Sequence, residues 1–216
     1  MVSQRKCCGW LWLIVSNGRP AILVIEHGLG GGVERHVNDL VALLKGQAKF
    51  LLMRPERGGL LRVSPELEGS GRPLYFDPVR ESTELRQFLE NACVRRIHFH
   101  HTVRIPWQLT SLAAQLGLPY DYTAHDYFSF CPQINLTAED FRYCGEPDTE
   151  GCNRCLRKRP PSSGENIQAW RLRYRDFVEG AKRVFVPTPG VGLRLSRHFP
   201  SARIVLAPHP EPAGTK

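Results

Sequence analysis

The chain has 216 residues and seven cysteines, with 29 Lys and Arg against 21 Asp and Glu, for a formal net charge of +8. That length allows one large core, or one domain with appendages, and leaves little room for two full domains. The charge favours phosphates or anionic headgroups; no aromatic-interleaved basic ladder marks a nucleic-acid groove, and an odd cysteine count does not describe a fully paired secreted framework.

At the N-terminus, Arg5 and Lys6 precede an apolar run at 7–15. It is too short to span a bilayer as a helix, and a turn at 16–20 follows it in place of a small-x-small cleavage site. Residues 1–20 are expected to form a tail or an extra edge strand, and the rest of the chain holds no transmembrane candidate, so a cytoplasmic location is expected. The run 22–44 comes next. A β-branched stretch passes through glycines 28, 30, 31 and 32, and then Val33, Val37, Leu40, Val41 and Leu44 recur as one face of a helix. A strand, a glycine turn and a helix start open a doubly wound α/β domain. Four glycines in five positions exceed what a turn needs, and the free N–H groups of a helix start form a site for an anion or for sugar hydroxyls.

Strands are expected at 49–53, 60–63 and 74–76, and a helix at 84–92 with Leu85, Phe88, Leu89 and Ala92 inward. The strand 96–100 carries His98 and His100 on one face, with His101 at its end. Pro106 starts a helix burying Leu109, Leu112, Ala113 and Leu116, and a strand at 119–124 ends in His125 and Asp126. Residues 127–163 break the rhythm, being polar, Pro/Gly-rich and cysteine-rich. Alternation resumes with a helix on Ile167, Trp170, Tyr174, Phe177, Val178 and Ala181, a strand at 183–187, a helix capped by Thr188 and Pro189, and a strand at 204–207. The fold class is α/β: a doubly wound, mostly parallel Rossmann-like sheet over 21–207 with a cysteine-rich insertion at 127–163, and a linker beginning at 208–216.

Three histidines on one strand end could ligate a metal, but parallel strand ends carry polar residues because they line a cleft, and cleft lining is the favoured reading for His98, His100 and His101. His36 is expected to be a solvated or capping residue. Cys152 and Cys155 have zinc-knuckle spacing, and Cys131 and Cys144 can complete four thiolates. Two disulfides, or thiols that never meet, remain alternatives for a segment too poor in apolar residues to hold itself. Cys7, Cys8 and Cys93 read as ordinary residues. Arg171, Arg173, Arg175, Lys182 and Arg183 read as a solvated helix face or as an attraction for an anionic lipid-linked acceptor at the inner membrane surface.

Five motifs in order, Gly31-Gly-Val-Glu-Arg-His-Val37, Ile97-His-Phe-His-His101, Tyr122-Thr-Ala-His-Asp126, Val186-Pro-Thr-Pro189 and Ala207-Pro-His209, resemble the N-terminal half of family 4-type glycosyltransferases of the two-Rossmann (GT-B) architecture. The resemblance implies sugar transfer from a nucleotide-sugar donor to a glycan or glycoconjugate acceptor, usually with retention and without a catalytic metal. It implies that Gly31 and Gly32, with Glu34 behind them, reach the donor phosphates. It implies that His125 touches the donor sugar, with Asp126, His98, His100 and His101 on the substrate side. The family's nucleotide-holding C-terminal domain has no counterpart in these residues, so the chain alone is expected to be inactive and to need that domain or a partner subunit. A non-catalytic sugar- or nucleotide-binding module, and a GT-B-like epimerase half, are the alternative readings.

Overall fold

A computed structural model of the chain describes residues 19–65 and 72–209. The expected tail or edge strand, up to residue 18, and most of the linker lie outside them. The described residues fold into two compact units, one up to Asp121 together with His209, the other Tyr122–Pro208.

The first unit is a sheet in the order β4-β3-β2-β1-β5. Its centre is β1 (Ala21–Ile25), parallel to β2 (Lys49–Pro55) on one side and to β5 (Val94–Phe99) on the other. Helix α1 (Gly31–Leu43) connects β1 to β2. Strand alternation sends Val24, Phe50 and Leu52 to the face that packs with Val37 of α1. Full burial of an apolar side chain of this size contributes about 1.5–3 kcal/mol. Leu23, Ile25, Leu51 and Met53, on the opposite face, are equally buried. The continuous apolar character of β1 and β2 follows from cover on both faces.

Beyond β2 the sheet turns antiparallel: β3 (Leu61–Pro65) pairs with β2, and β4 (Leu74–Phe76) with β3. Strand β4 is three residues long and lies between Pro73 and Pro78. Helix α2 (Ser82–Asn91) packs Leu85, Phe88 and Leu89 inward, as their spacing predicts. The helix expected from Pro106 is split into a 3₁₀ turn (Trp107–Ser111) and the single α turn α3 (Leu112–Gln115). The hydroxyls of Thr110 and Ser111 donate to the carbonyls three residues back, Trp107 and Gln108, and such local bonds favour the tighter winding. Strand β6 (Tyr120–Thr123) runs across the division between the units.

In the second unit β7 (Arg183–Val186) pairs in parallel with β8 (Ile204–Leu206), connected by α6 (Pro189–His198). Thr188 caps α6 by accepting from the Val191 N–H at 3.3 Å, with Pro189 in the first turn. A Cβ on Gly192 would stand 3.3 Å from both Val186 and Ile204, so the helix lies tightly on its two strands. Helix α5 (Ile167–Gly180) starts at the Asn166 cap and buries Ile167, Trp170, Tyr174, Phe177 and Val178. The segment 127–163, expected to be irregular, contains helix α4 (Thr149–Lys158). Asp148 at its cap, Glu150 in its first turn and Arg157 and Lys158 in its last explain a helix with one buried apolar residue, Leu156.

Candidate functional site

The chemistry of the first unit begins where β1 ends. Glu26 continues the ladder, its N–H donating to the Met53 carbonyl at 3.2 Å, and its carboxylate is fully buried. One carboxylate oxygen accepts from the Gly28 N–H at 2.7 Å, and the other pairs with the Arg54 guanidinium at the end of β2. Arg54 also reaches Glu34 of α1 at 3.2 Å. Glu34 thereby anchors the helix start to β2. This three-residue ion network holds both ends of the glycine loop.

Within the loop, Gly28, Gly30 and Gly31 take φ of +66°, +77° and +74°, which side chains disfavour. Gly32 has no such requirement, and neither Gly31 nor Gly32 has an atom within 4 Å of where a Cβ would stand. Neither packing nor, at Gly32, backbone conformation explains the missing side chain. Helix α1 begins at Gly30 with no side-chain cap. Its first N–H groups therefore open onto space that a ligand can approach.

Histidines gather at the same end of the sheet. His98 is the fifth residue of β5 and His100 follows its end, with its N–H donating to the Ile25 carbonyl at 2.8 Å. The rings of His98 and His100 are 4.1 Å apart, and His36 of α1 lies 5.4 Å from His100. His36 also meets His209, ring nitrogen to ring nitrogen at 2.9 Å. Its pKa is lowered by burial first and by His209 next, with Asp39 opposing. Half-buried His36 therefore departs from the solvated or capping role expected of it. His27 and His101 form a second pair, 5.1 Å apart. In each, Nδ1 accepts a backbone N–H two residues on, from Leu29 at 2.9 Å and Val103 at 3.0 Å, which leaves Nε2 as the protonated nitrogen of the neutral ring.

His98, His100 and His101 are 9%, 0% and 4% exposed, deeper than cleft-lining residues need be. His27 and His209, which the structure places beside these histidines, were not among the candidates read from the sequence. The signal for His27 was its place just after β1, the strand that leads into the glycines.

His125 and Asp126 belong to the second unit. Ala124 before them is buried and donates to the Phe185 carbonyl at 2.9 Å, tying the end of β6 to β7. Half-buried His125 follows directly. Asp126 accepts the Phe128 N–H at 2.9 Å and turns the chain into the cysteine-bearing segment. Burial, reinforced by Asp126 and Tyr174 and opposed by the Ser129 hydroxyl, raises the pKa of Tyr122, so its phenol is neutral.

The four cysteines line one cavity of about 30 Å³, with Leu156 and Ile167 among its walls. Cys152 and Cys155 are three residues apart on α4, so they share a face. Cys131 and Cys144 come from the loops before it, and all four are free thiols. Burial pushes the Cys131 thiol up to about 11, while the backbone N–H of Gln133 pulls it back. Arg171 of α5 directs a guanidinium nitrogen at the Cys152 sulfur, 3.7 Å away, and donates to the Phe130 carbonyl at 3.2 Å.

Of the basic residues expected on a solvated face, Arg171 thus points inward. Arg173 stacks on Trp170 at 4.6 Å and pairs with Glu165 at 2.8 Å. Backbone strain concentrates in the same segment: Ile134, Leu136, Phe141 and Glu146 all have φ between +50° and +60°, at about 1–2 kcal/mol each for an L-residue. Such conformations persist only where surrounding contacts impose them.

The family model for Glycosyltransferase Family 4 matches residues 30–210. No curated protein matches the sequence significantly. Among solved structures, sucrose-phosphate synthase from Thermosynechococcus elongatus is similar over 88% of this chain and 48% of its own, at 14% identity and a TM-score of 0.47. Pyridoxal kinase from Lactobacillus plantarum is similar over 81% of this chain and 52% of its own, at 13% identity and a TM-score of 0.34. The chain thus spans about half the length of either structure. No helix among the described residues is long and apolar enough to cross a membrane.

Proposed function

The chain belongs to glycosyltransferase family 4, and on that premise we propose that it is the acceptor-binding domain of an enzyme that moves a sugar from a nucleotide-sugar donor to a glycan or lipid-linked acceptor, with retention. The observation that carries the reading is the glycine loop. Gly32 is a glycine that neither its backbone nor its packing calls for, at the uncapped start of α1. An uncapped helix start that admits close approach suits the diphosphate of the donor.

In the reaction the bond from the anomeric carbon to the diphosphate breaks. The acceptor hydroxyl oxygen forms the new bond and gives up its proton, and the nucleoside diphosphate leaves with the added negative charge. The N–H groups of Gly31 and Gly32 would stabilise that charge where it develops. His125 would orient a hydroxyl of the donor sugar as a neutral donor or acceptor. His101, with the ring of His27 beside it, would lie on the acceptor side. The nucleotide itself would be held by a further domain of a longer protein or by a partner subunit.

The test is release of nucleoside diphosphate by the whole protein from a panel of nucleotide-sugars, with and without glycan and lipid-linked acceptors. Release that requires an acceptor, with the sugar recovered on it, supports the proposal. Isomerisation of the donor without an acceptor would make the protein an epimerase, and tight binding without turnover would make it a binding module; either overturns it.

A further inference from the structure

We propose that Cys131, Cys144, Cys152 and Cys155 bind one zinc ion as a four-thiolate structural site that clasps the segment following Asp126 onto α4 and α5. The inference stands apart from the transferase reading and needs no nucleotide-sugar.

Four observations converge on it. The four thiols of the segment border a single cavity, large enough for an ion and walled otherwise mainly by apolar groups such as Leu156 and Ile167. Their sequence order supplies ligands from three separate pieces of chain: one from the loop after Asp126, one from the loop before α4, and two from a single face of α4. One of the sulfurs, that of Cys152, already receives an N–H group from Arg171 at 3.7 Å. Outer donors of this kind orient thiolates and offset their charge at metal sites. Finally, four non-glycine residues between Cys131 and Cys152 hold left-handed backbone, in a stretch where Phe130, Leu136 and Leu156 are the buried apolar residues nearest in sequence. So small a core does not by itself impose such a conformation, and a metal joining two loops to α4 at one point would.

The chemistry balances simply. Four neutral thiols lose four protons to solvent as a divalent zinc ion binds, leaving a closed tetrahedral site of net charge 2−. Arg171 supplies the nearest positive charge, and Arg154, Arg157 and Lys158 of α4 lie along the same helix. Four thiolates leave no open coordination position, so the role is structural. The consequence is local. The loop that begins at Asp126, one residue after His125, is held at its far end by Cys131.

The experiment is metal analysis of the whole protein purified under reducing conditions. About one equivalent of zinc per chain is expected, released by a mercurial thiol reagent that titrates four cysteines together. Replacement with Co²⁺ should give the visible bands of tetrahedral cobalt with a thiolate charge-transfer band beside them. Cys155→Ser should lose the metal. Because that variant could simply misfold, Cys155→His, which preserves a ligand, should keep it with a shifted cobalt spectrum. A wild-type protein with native circular dichroism that takes up no zinc or cobalt, with four independently reactive thiols, overturns the proposal. A mass lower by four hydrogens, marking two disulfides, overturns it equally.

Discussion

The histidines of the first unit and the cysteines of the second are both clusters of ligand-like side chains, but they are supported differently. His27, His98, His100 and His101 sit at or beside the ends of β1 and β5, strands paired along their length and buried by Leu23, Ile25, Ile97 and Phe99. Their positions are set by a backbone ladder that would exist with other side chains in their place. The cysteines sit on loops with left-handed residues and on a helix that buries one apolar side chain. There the reactive groups line one cavity, with little else buried around them. The first arrangement is set by backbone pairing and the second by the side chains themselves.

The contrast can be broken first at the one part of the histidine region that is not ladder. Arg54→Met strands the buried Glu26 carboxylate that holds the glycine loop, and should cost about 3–5 kcal/mol in chemical denaturation. Adding Glu26→Gln should recover part of that loss. A loss under about 1 kcal/mol, the range of exposed pairs, would show that the loop is held by its glycines alone.

Gly151→Ala probes the other region. Its Cβ would stand 2.7 Å from Pro147, and overpacking of this kind costs about 1–3 kcal/mol. Hydrogen exchange should locate the loss in the cysteine-bearing segment and leave β1 and β2 unchanged. Exchange that rises in both places would mean that the two regions are one cooperative unit.

Gly32→Ala sharpens the comparison by separating binding from folding. Open space surrounds its Cβ, so stability should stay within about 0.5 kcal/mol. Affinity for a nucleoside diphosphate or nucleotide-sugar should fall about tenfold, or 1.4 kcal/mol. Unchanged affinity by calorimetry would remove the glycine loop from the site.

The smallest effect expected is a pH dependence in the second unit. The ring of His198 stacks on Phe130 at 4.6 Å. Burial first, then Arg171, lower its pKa, with Glu146 opposing and Arg197 adding, to about 4 from 6.5. The folded chain keeps this ring neutral while the unfolded chain takes a proton near pH 6.5. Its contribution is therefore constant above that value, is lost as pH falls toward 4, and is level below. His198→Phe keeps the stacking and should flatten that part of the curve of Tm against pH. Parallel curves for the two proteins would assign the acid sensitivity elsewhere.

Much of this was legible in the sequence where periodicity could speak. The switch from β-branched run to helical spacing at residues 22–44 located β1 and α1, and the Thr188 and Pro189 pair located the start of α6. The antiparallel sense of β3 and β4 was not legible, because strand period carries no direction. Helix α4 was hidden for a physical reason: with only Leu156 buried it has no apolar stripe, and its signals were caps and terminal charges. The carboxylate of Glu26 and the partnership of Arg54 with Glu34 were invisible, since residues 26, 34 and 54 meet only through the fold. His36 failed for the same reason: helix position alone could not reveal His100 and His209 around it.

The brevity of β4 has a practical outcome for anyone concentrating this protein. An open sheet edge is a template on which another molecule's strand can add, the first event of aggregation. Among the described residues the edge of the first unit is three residues long, and Pro73 and Pro78 on either side have no N–H to extend the ladder. Growth of a ladder from that edge is therefore limited at both ends, where a longer, proline-free edge would extend it.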